Sequence, residues 1–297
     1  MHERICAVVV SYNRAYLLKF SLDAIQHQTI HCDILVVDNA STDNSLAVIE
    51  EAKIRNPKVR SLILPRNIGG AGGFHAGIKE AYHLGYDLFW LLDDDAIASS
   101  TALEKLLLAR ERLTSEPGSI APGFYGSNVR WRDGNSARMN TPAIDHAWLD
   151  DMKNGWPYIP SNYNSFVSLL ITRHSVAEHG LPLRQYFIWF DDCEYTFRLS
   201  RARRGYFVMD SFVEHRTADN YSAEINQLNE KSLWKFEYGI RNQASFMRHH
   251  YGKRGYKKFV RGIWKSMKLA KTPWKLRYRI MRAAWRARRF KPSVEFP

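Results

Sequence analysis

Cysteine is scarce in this chain. Only three of its 297 residues are cysteine, Cys6, Cys32 and Cys193. Their odd number and scattered spacing exclude a disulfide framework and a zinc pattern. Cys6 and Cys32 lie in apolar, strand-like contexts that suit small buried side chains. Long apolar runs are missing as well: none reaches the length of about 18 residues that marks a membrane-crossing helix. The apolar stretch at residues 5–10 is too short for a leader's core, and Tyr12, Asn13 and Arg14 end it. Neither a cleaved leader nor a spanning helix is expected, which points to the cytoplasm. With 45% hydrophobic and 25% charged residues, the composition excludes a mainly disordered chain.

Acid is missing from one end. Residues 241–297 hold 18 Lys and Arg against a single acid, Glu295, whereas residues 1–240 hold 25 basic and 29 acidic residues. The formal net charge of +13 therefore belongs to the C-terminal part, and the body is mildly acidic. The length suits one large domain or one domain with an appendage, and the helical character of the chain from about residue 232 favours a division into residues 1–231 and 232–297.

Over the first hundred residues strand and helix signals alternate. Ile5–Ser11 and Asp33–Asp38 are continuous apolar runs of the kind buried on both faces of a sheet, and residues 59–64 and 88–92 continue the series. Helices are predicted over residues 17–28, Ser45–Arg55, 73–84 and 101–113. This alternation predicts an α/β chain with a parallel sheet covered by helices on both faces, where ligands bind beyond the carboxyl ends of the strands. Residues 116–165 lose periodicity and read as short strands and long loops. Strands are predicted again at 165–172 and 206–210, with a helix between them running from Asp191 to about Arg201.

From residue 232 the chain reads as helical and basic. Phe259, Ile263, Met267 and Ala270 share a face, Pro273 interrupts, and Trp274, Tyr278, Met281 and Trp285 share another, with Lys275, Arg279, Arg282, Arg286 and Arg289 largely elsewhere. A basic amphipathic helix bearing Trp suits a membrane interface, where anionic lipid contributes about 1 kcal/mol per Lys or Arg. The alternatives are a solvated helix that packs its aromatic stripe on its own domain, and a nucleic-acid contact. The tail lacks a groove-reading motif and the concave-site candidates are acidic, so no nucleic acid is expected.

Four constellations carry chemistry. Asp93, Asp94 and Asp95 follow an apolar strand; adjacent carboxylates repel one another unless a cation is present. In extended chain Asp93 and Asp95 face one side and Asp94 the other; the alternative is an acidic turn that caps the next helix. Arg66, Asn67, Gly69, Gly70, Gly72 and Gly73 form a glycine-rich loop able to offer N–H groups to phosphate, or else a merely flexible one. No Gly-Lys-Ser/Thr follows it, and it lacks the dinucleotide spacing after the first strand. Trp189, Phe190, Asp191, Asp192, Cys193, Glu194 and Tyr195 open a helix, with a general base among the carboxylates or a cap and a Glu194–Arg198 pair. His215 follows, as a ligand or as a structural histidine.

Taken together, strand–Ser-Tyr-Asn-Arg, then VVDNASTD, NIGGAGGF, LLDDD and WFDDCEY resemble family 2 nucleotide-sugar glycosyltransferases of the glycosyltransferase A fold over about residues 4–220. The set is similar to the galactofuranosyltransferase branch, with Phe190 standing between Trp189 and the Asp pair as a one-residue departure. The resemblance implies a Rossmann-like nucleotide-diphospho-sugar transferase sheet in a catalytic domain, followed by the basic helical extension. It implies a UDP-sugar donor on Ser11, Asn13, Arg14, Asp38, Arg66, Asn67, Gly69, Gly70, Gly72, Gly73, Asp93 and Asp94, with Asp38 on the uracil. Mn²⁺ or Mg²⁺ would sit on Asp93, Asp95 and His215. Asp192 would be the catalytic base with Asp191 beside it, and Trp189 and Glu194 would meet the acceptor. The implied reaction is inverting transfer of galactofuranose to a lipid-linked glycan in bacterial cell-surface polysaccharide or O-antigen synthesis, at the inner face of the cell membrane. Rhamnosyl- or other hexosyltransfer is the nearest alternative.

Overall fold

The computed structural model describes residues 3–115, 120–146, 148–151, 155, 157–220, 222 and 224–297. Parts of the loop-rich stretch read at 116–165, namely 116–119, 147, 152–154 and 156, lie outside the described residues. The first half of the body contains β1 (Ile5–Ser11), α1 (Ala15–Gln26), β2 (Asp33–Asp38), α2 (Ser45–Arg55), β3 (Val59–Ile63), α3 (Gly69–His83), β4 (Leu88–Asp93), β5 (Ala96–Ala98) and α4 (Ala102–Thr114). Then follow β6 (Tyr125–Arg130), β7 (Ala143–Ile144), α5 (Trp148–Asp151), β8 (Tyr158–Tyr163), β9 (Ser168–Thr172), α6 (Arg173–His179), α7 (Asp191–Ala202) and β10 (Gly205–His215). Two helices close the chain, α8 (Leu233–Leu269) and α9 (Trp274–Arg286).

The strands form one mixed sheet in the order β3-β2-β1-β4-β9-β6-β10-β8-β7, with β5 paired to β10. The expected parallel arrangement holds for β3, β2, β1 and β4. It ends at β9, which runs antiparallel to both β4 and β6. Parallel pairing returns between β6 and β10. In the first half, α1, α2 and α3 supply the long crossovers that parallel neighbours need. β1 shows why its sequence has no polar alternation. Ala7 and Val9 enter a core with Leu18, Leu22, Trp90 and Leu103, while Cys6, Val8 and Val10 enter a second with Phe74, Ile78, Phe89 and Tyr195. Cys6 is buried as expected, and burial pushes the Cys32 thiol up to about 12.

The glycine-rich stretch is not a loop. Residues 69–73 form the first turn of α3, which begins four residues earlier than predicted. Packing on the sheet explains much of the glycine content. A Cβ at Gly77 would stand 2.5 Å from Val8 Cγ1 and 2.7 Å from Val37 Cγ2, and one at Gly73 would press into Val10. Strand β10 is likewise longer than predicted and runs through Glu214 and His215, with a register shift between Val208 and Phe212.

The C-terminal helices build a third core from Leu233, Phe236, Ile240, Ala244, Met267, Leu276, Ile280 and Ala284, against which Trp189 of the body packs. Phe259, Ile263 and Met267 face this core as their spacing predicts, whereas Ala270 is exposed. In α9 the inward face is the aliphatic one. Trp274, Tyr278 and Trp285 point outward, 68%, 59% and 49% exposed, so the aromatic stripe is not packed away on its own domain. Helix α8 is broken at Gly252, and Pro273 precedes α9.

Alanine gains about 1 kcal/mol over glycine in a helix interior, but overpacking costs about 1–3 kcal/mol. Gly77→Ala is therefore expected to lower stability in urea unfolding. Gly70→Ala, whose Cβ meets nothing within 4 Å, should leave stability unchanged or raise it.

Candidate active site

The site lies beyond the carboxyl ends of β1, β2 and β4. Their register aligns Ser11 with Asp38 and Val10 with Asp93, so that three chain turns leave the sheet together. Asp38 is fully buried. Its Oδ2 accepts a hydrogen bond from Ser41 N at 3.0 Å, while its Oδ1 and the Ser11 hydroxyl are buried without a hydrogen-bond partner. Asn13, at φ 53, pins the turn after β2: its amide donates to Ser41 Oγ at 3.0 Å and its Oδ1 accepts from Thr42 N at 2.7 Å. Buried Asn39 ties the same turn to α3, accepting from Ile68 N at 2.9 Å and donating to Gly69 O at 3.0 Å. The result is a tightly hydrogen-bonded shelf that keeps two buried polar atoms without a partner.

Asp93, Asp95 and His215 converge as expected, but by a turn and not by extended chain: β4 ends at Asp93, and Asp94 and Asp95 form the turn into β5. Their ligand atoms lie within 4.8 Å of one another. The β5–β10 pairing accounts for the histidine, because it sets His215 opposite Ala96, next to Asp95. His215 Nε2 stands 3.1 Å from Asp95 Oδ1, and its Nδ1 lies 2.8 Å from Asn140 Oδ1. Arg14 contacts Asp95 and lies 3.5 Å from Asp94 Oδ1, whose other oxygen accepts from Tyr12 N at 3.1 Å. Asp94 thus turns from the cluster to the Arg14 turn.

Burial pushes the Asp93 carboxyl up to about 6, with Asp95 and Asp192 adding to it against His215 and Arg14. Burial pushes Asp94 up to about 7 despite Arg14. Burial also opposes the Asp95 charge, but the His215 hydrogen bond and the Arg14 guanidinium outweigh it and hold the carboxyl below its ordinary range. Burial lowers His215, yet its hydrogen bond to Asp95 prevails and the imidazole is raised. Two carboxylates and one imidazole, with no thiolate, form a donor set that fits Mn²⁺ or Mg²⁺. Asn140 Oδ1 accepts the Nδ1 proton, so Nε2, which here contacts Asp95, would be the nitrogen that meets an ion.

Gly70 faces open space, whereas Gly69 is pressed against the Phe187 carbonyl, which accepts from Ala71 N at 3.2 Å. Arg66 and Asn67 are exposed, and Asn67 Oδ1 accepts from Gly69 N at 2.8 Å. Of the predicted glycines, Gly70 has room on its open side, Gly72 is crowded by Ile68 of its own turn, and Gly73 serves packing on Val10.

Asp191 and Asp192 open α7 behind a turn in which Phe187, Trp189 and Phe190 have φ of 67°, 64° and 72°. Such left-handed non-glycine residues cost about 1–3 kcal/mol each and persist only where the surroundings impose them. Asp191 is 8% exposed and Asp192 is more open; Asp192 Oδ1 accepts from Cys193 N at 2.7 Å. Burial and then the Asp192 charge lift Asp191 well above the carboxylate range, and burial lifts Asp192 against the Cys193 N–H. Glu194 is drawn elsewhere: buried, it places its oxygens 3.1 and 3.2 Å from Arg198 Nε and Nη2. The Trp189 ring packs edge-on to Phe236 and against Gly239, partly inside the third core.

Three residues near the site escaped the sequence reading. Asn140 sits in an aperiodic stretch 75 residues from His215. Lys235 of α8 is half-buried, and burial and then the Arg14 charge lower its pKa. Asn242 of α8 hydrogen-bonds the turn before Asp191. No local pattern marks any of them. Asn140→Ala is expected to weaken Mn²⁺ binding by about ten- to a hundred-fold in calorimetry while the fold is retained.

Residues 6–176 match the family described as Glycosyl transferase family 2. The chain is 38% identical over 204 residues to the galactofuranosyltransferase GlfT1 of Mycobacterium tuberculosis strain H37Rv, a match covering 68% of this chain and 66% of that protein. It is 42% identical over 108 residues to the GlfT1 of Mycolicibacterium smegmatis, covering 36% of this chain and 35% of that one. The chain thus spans just under two thirds of the one relative and about a third of the other. Among solved structures, GalNAc-T7 with UDP, GalNAc and Mn²⁺ has a TM-score of 0.66 at 14% identity, covering 95% of this chain and 54% of that one. The Pyrobaculum calidifontis mannosyltransferase PcManGT, in complex with GDP-Man and Mn²⁺, has 0.57 at 16%, covering 97% and 74%. At these identities the likeness is one of fold, the glycosyltransferase A arrangement of sheet and helices. On the family match and the identity to GlfT1, the chain belongs to glycosyltransferase family 2.

Proposed function

We propose that this chain transfers galactofuranose from UDP-galactofuranose to a hydroxyl of a glycan acceptor, with inversion, in bacterial cell-surface polysaccharide or O-antigen synthesis. The observation that carries the proposal is the Asp93, Asp95 and His215 cluster, with the raised Asp191–Asp192 pair close enough for Asp192 to push the Asp93 carboxyl up. The galactofuranosyltransferases among its relatives support the choice of sugar. The unpartnered Asp38 Oδ1 suits a base N–H, as the uracil assignment requires.

In this reading the shelf formed by Ser11, Asn13 and Asp38 takes the nucleoside, and the Gly70 face of α3 lies along the diphosphate. Arg66 and Asn67 border it, and Arg14 braces Asp94 and Asp95. A divalent ion held by Asp93, Asp95 and His215 would offset the charge growing on the departing UDP. Asp192 takes the proton of the acceptor hydroxyl. The hydroxyl oxygen bonds to the anomeric carbon as the bond to the diphosphate breaks, and UDP leaves with the electron pair. Asp191, the more buried carboxyl, orients hydroxyls beside it, and the exposed edge of Trp189 offers an acceptor surface.

A lipid-linked acceptor would keep the reaction at the inner face of the membrane. No helix among the described residues is long and apolar enough to cross one. The outward Trp274, Tyr278 and Trp285 of α9, interleaved with basic residues, supply a face for anionic lipid.

Asp192→Asn is expected to abolish transfer while leaving UDP binding within a few fold; normal transfer by this variant would remove Asp192 from the base role. Because burial raises Asp192, the rate should fall on acidification at a pH above the ordinary carboxylate range, as the base takes up its proton. A panel of UDP-galactofuranose, dTDP-rhamnose and UDP-hexoses with Mn²⁺ separates the proposed donor from its nearest alternatives. Replacing Trp274 and Trp285 by Ser, with Arg282→Glu and Arg286→Glu, should release the protein from anionic vesicles and leave transfer to a soluble acceptor unchanged. Undiminished vesicle binding would rule out this face.

A further inference from the structure

The turn at residues 187–190 places Asp191 and Asp192, and its left-handed residues need an outside hold. Most of that hold comes from the far end of the chain. Asn242 of α8 is fully buried, and its Nδ2 donates to the carbonyls of Tyr186, Ile188 and Trp189 at 3.0, 3.1 and 2.8 Å. Arg241 Nη2 donates to Gln185 O at 3.0 Å and to Asn242 Oδ1 at 2.8 Å, which orients the amide.

The last residues of the chain fold back over the residues that lead into that turn, Leu181, Arg184 and Tyr186. Phe290 lies under the Arg241 guanidinium at 4.0 Å and beside the Tyr186 ring. Glu295 Oε1 stands 2.7 Å from Arg184 Nε and its Oε2 is 3.5 Å from His75 Nε2 on α3, while its carbonyl accepts from Leu181 N at 2.8 Å. His75 Nδ1 in turn lies 2.8 Å from Pro182 O. Glu295 is the single acid among 18 basic residues in this part of the chain, and it is used here. On its inner side the turn meets the donor helix, where the Phe187 carbonyl accepts from Ala71 N.

We propose that Asn242 and Glu295 are positioning residues for sugar transfer, clamping the 187–190 turn between α8 and α3 so that Asp191 and Asp192 stand over the Asp93, Asp95 and His215 cluster. Neither touches the reacting atoms in this arrangement. The C-terminal region then completes the catalytic site in addition to any role at a surface. The inference rests on the base assignment made above for Asp192, but the clamp itself is a separate geometric claim.

The test uses the full chain with Mn²⁺, UDP and UDP-galactofuranose. Glu295→Ala, on the outer strap, is expected to lower kcat by about ten- to a hundred-fold, with KM for the donor and calorimetric UDP binding within two-fold, since misplacement of reacting groups acts on rate. Glu295→Gln, which keeps acceptor oxygen for Arg184, should recover much of the rate. Hydrogen exchange at the amides of Ala71 and Leu181 should quicken in Glu295→Ala. Asn242→Ala should do the same more strongly, and if it fails to fold, the Glu295 pair still decides the question. Wild-type kcat in Glu295→Ala, or a rate loss matched by an equal loss of UDP binding, would overturn the proposal. If the wild-type chain moves no sugar from any donor, the functional reading fails instead. The clamp then stands or falls on the exchange of Ala71 and Leu181.

Discussion

Carboxylates crowd the end of β4, and like charges held in a small volume away from water oppose one another's ionisation. Asp93, Asp94 and Asp95 lie there, with Asp191 and Asp192 near enough to Asp93 for their charges to act on one another, and with Arg14 and His215 as nearby positive groups. Burial leaves Asp94 near neutrality in its titration, with its pKa at about 7, while the Arg14 and His215 contacts keep Asp95 ionised. The rest of the site follows from this imbalance. A cluster short of positive charge favours a divalent ion, and an ion needs a fixed imidazole, which Asn140 provides. Lys235, arriving on α8, adds a further cation beside Arg14.

The sheet makes that crowding possible at little cost to folding. The apolar residues of β1, β2 and β4 enter one core or the other, so the polar residues at the strand ends are held by a frame that does not depend on them. Close approach of α3 to β1, set by Gly73 and Gly77, brings the open face of Gly70 to the same edge. Pairing of β5 with β10 then carries His215 across from a strand far along the chain.

Much of this was readable from residue order. The β-branched runs and the alternation with helices gave the first half of the sheet. Asp93 and Asp95 were rightly set apart from Asp94, but for the wrong reason, since a turn and not an extended segment brings them together. His215 rested on resemblance, because a lone histidine carries no local pattern. The glycines were misplaced for an instructive reason: read as a loop that frees the backbone, they form a helical turn in which Gly73 and Gly69 allow close contact with Val10 and Phe187. Asn140 and Asn242 were invisible because each acts on a partner more than fifty residues away through a fold not implied by its neighbours. Strand β9 was expected at 165–172, but its antiparallel direction was not, because an apolar run has the same look whichever way the strand points.

Gly252 holds a further consequence. Its φ of 65° and ψ of −164° break α8, and a Cβ there would meet nothing within 4 Å, so the demand for glycine is torsional and not steric. Before the break, the helix grips the turn ahead of Asp191; after it, the helix carries the packing of α9 and the outward Trp274 and Trp285. The break acts as a mitre joint. It fixes the angle between the mouth of the site and the aromatic face, and the residue count beyond it fixes the phase. One residue more between Gly252 and Pro273 would turn that face by about 100° about the helix axis, enough to aim it sideways without altering a single side chain on it.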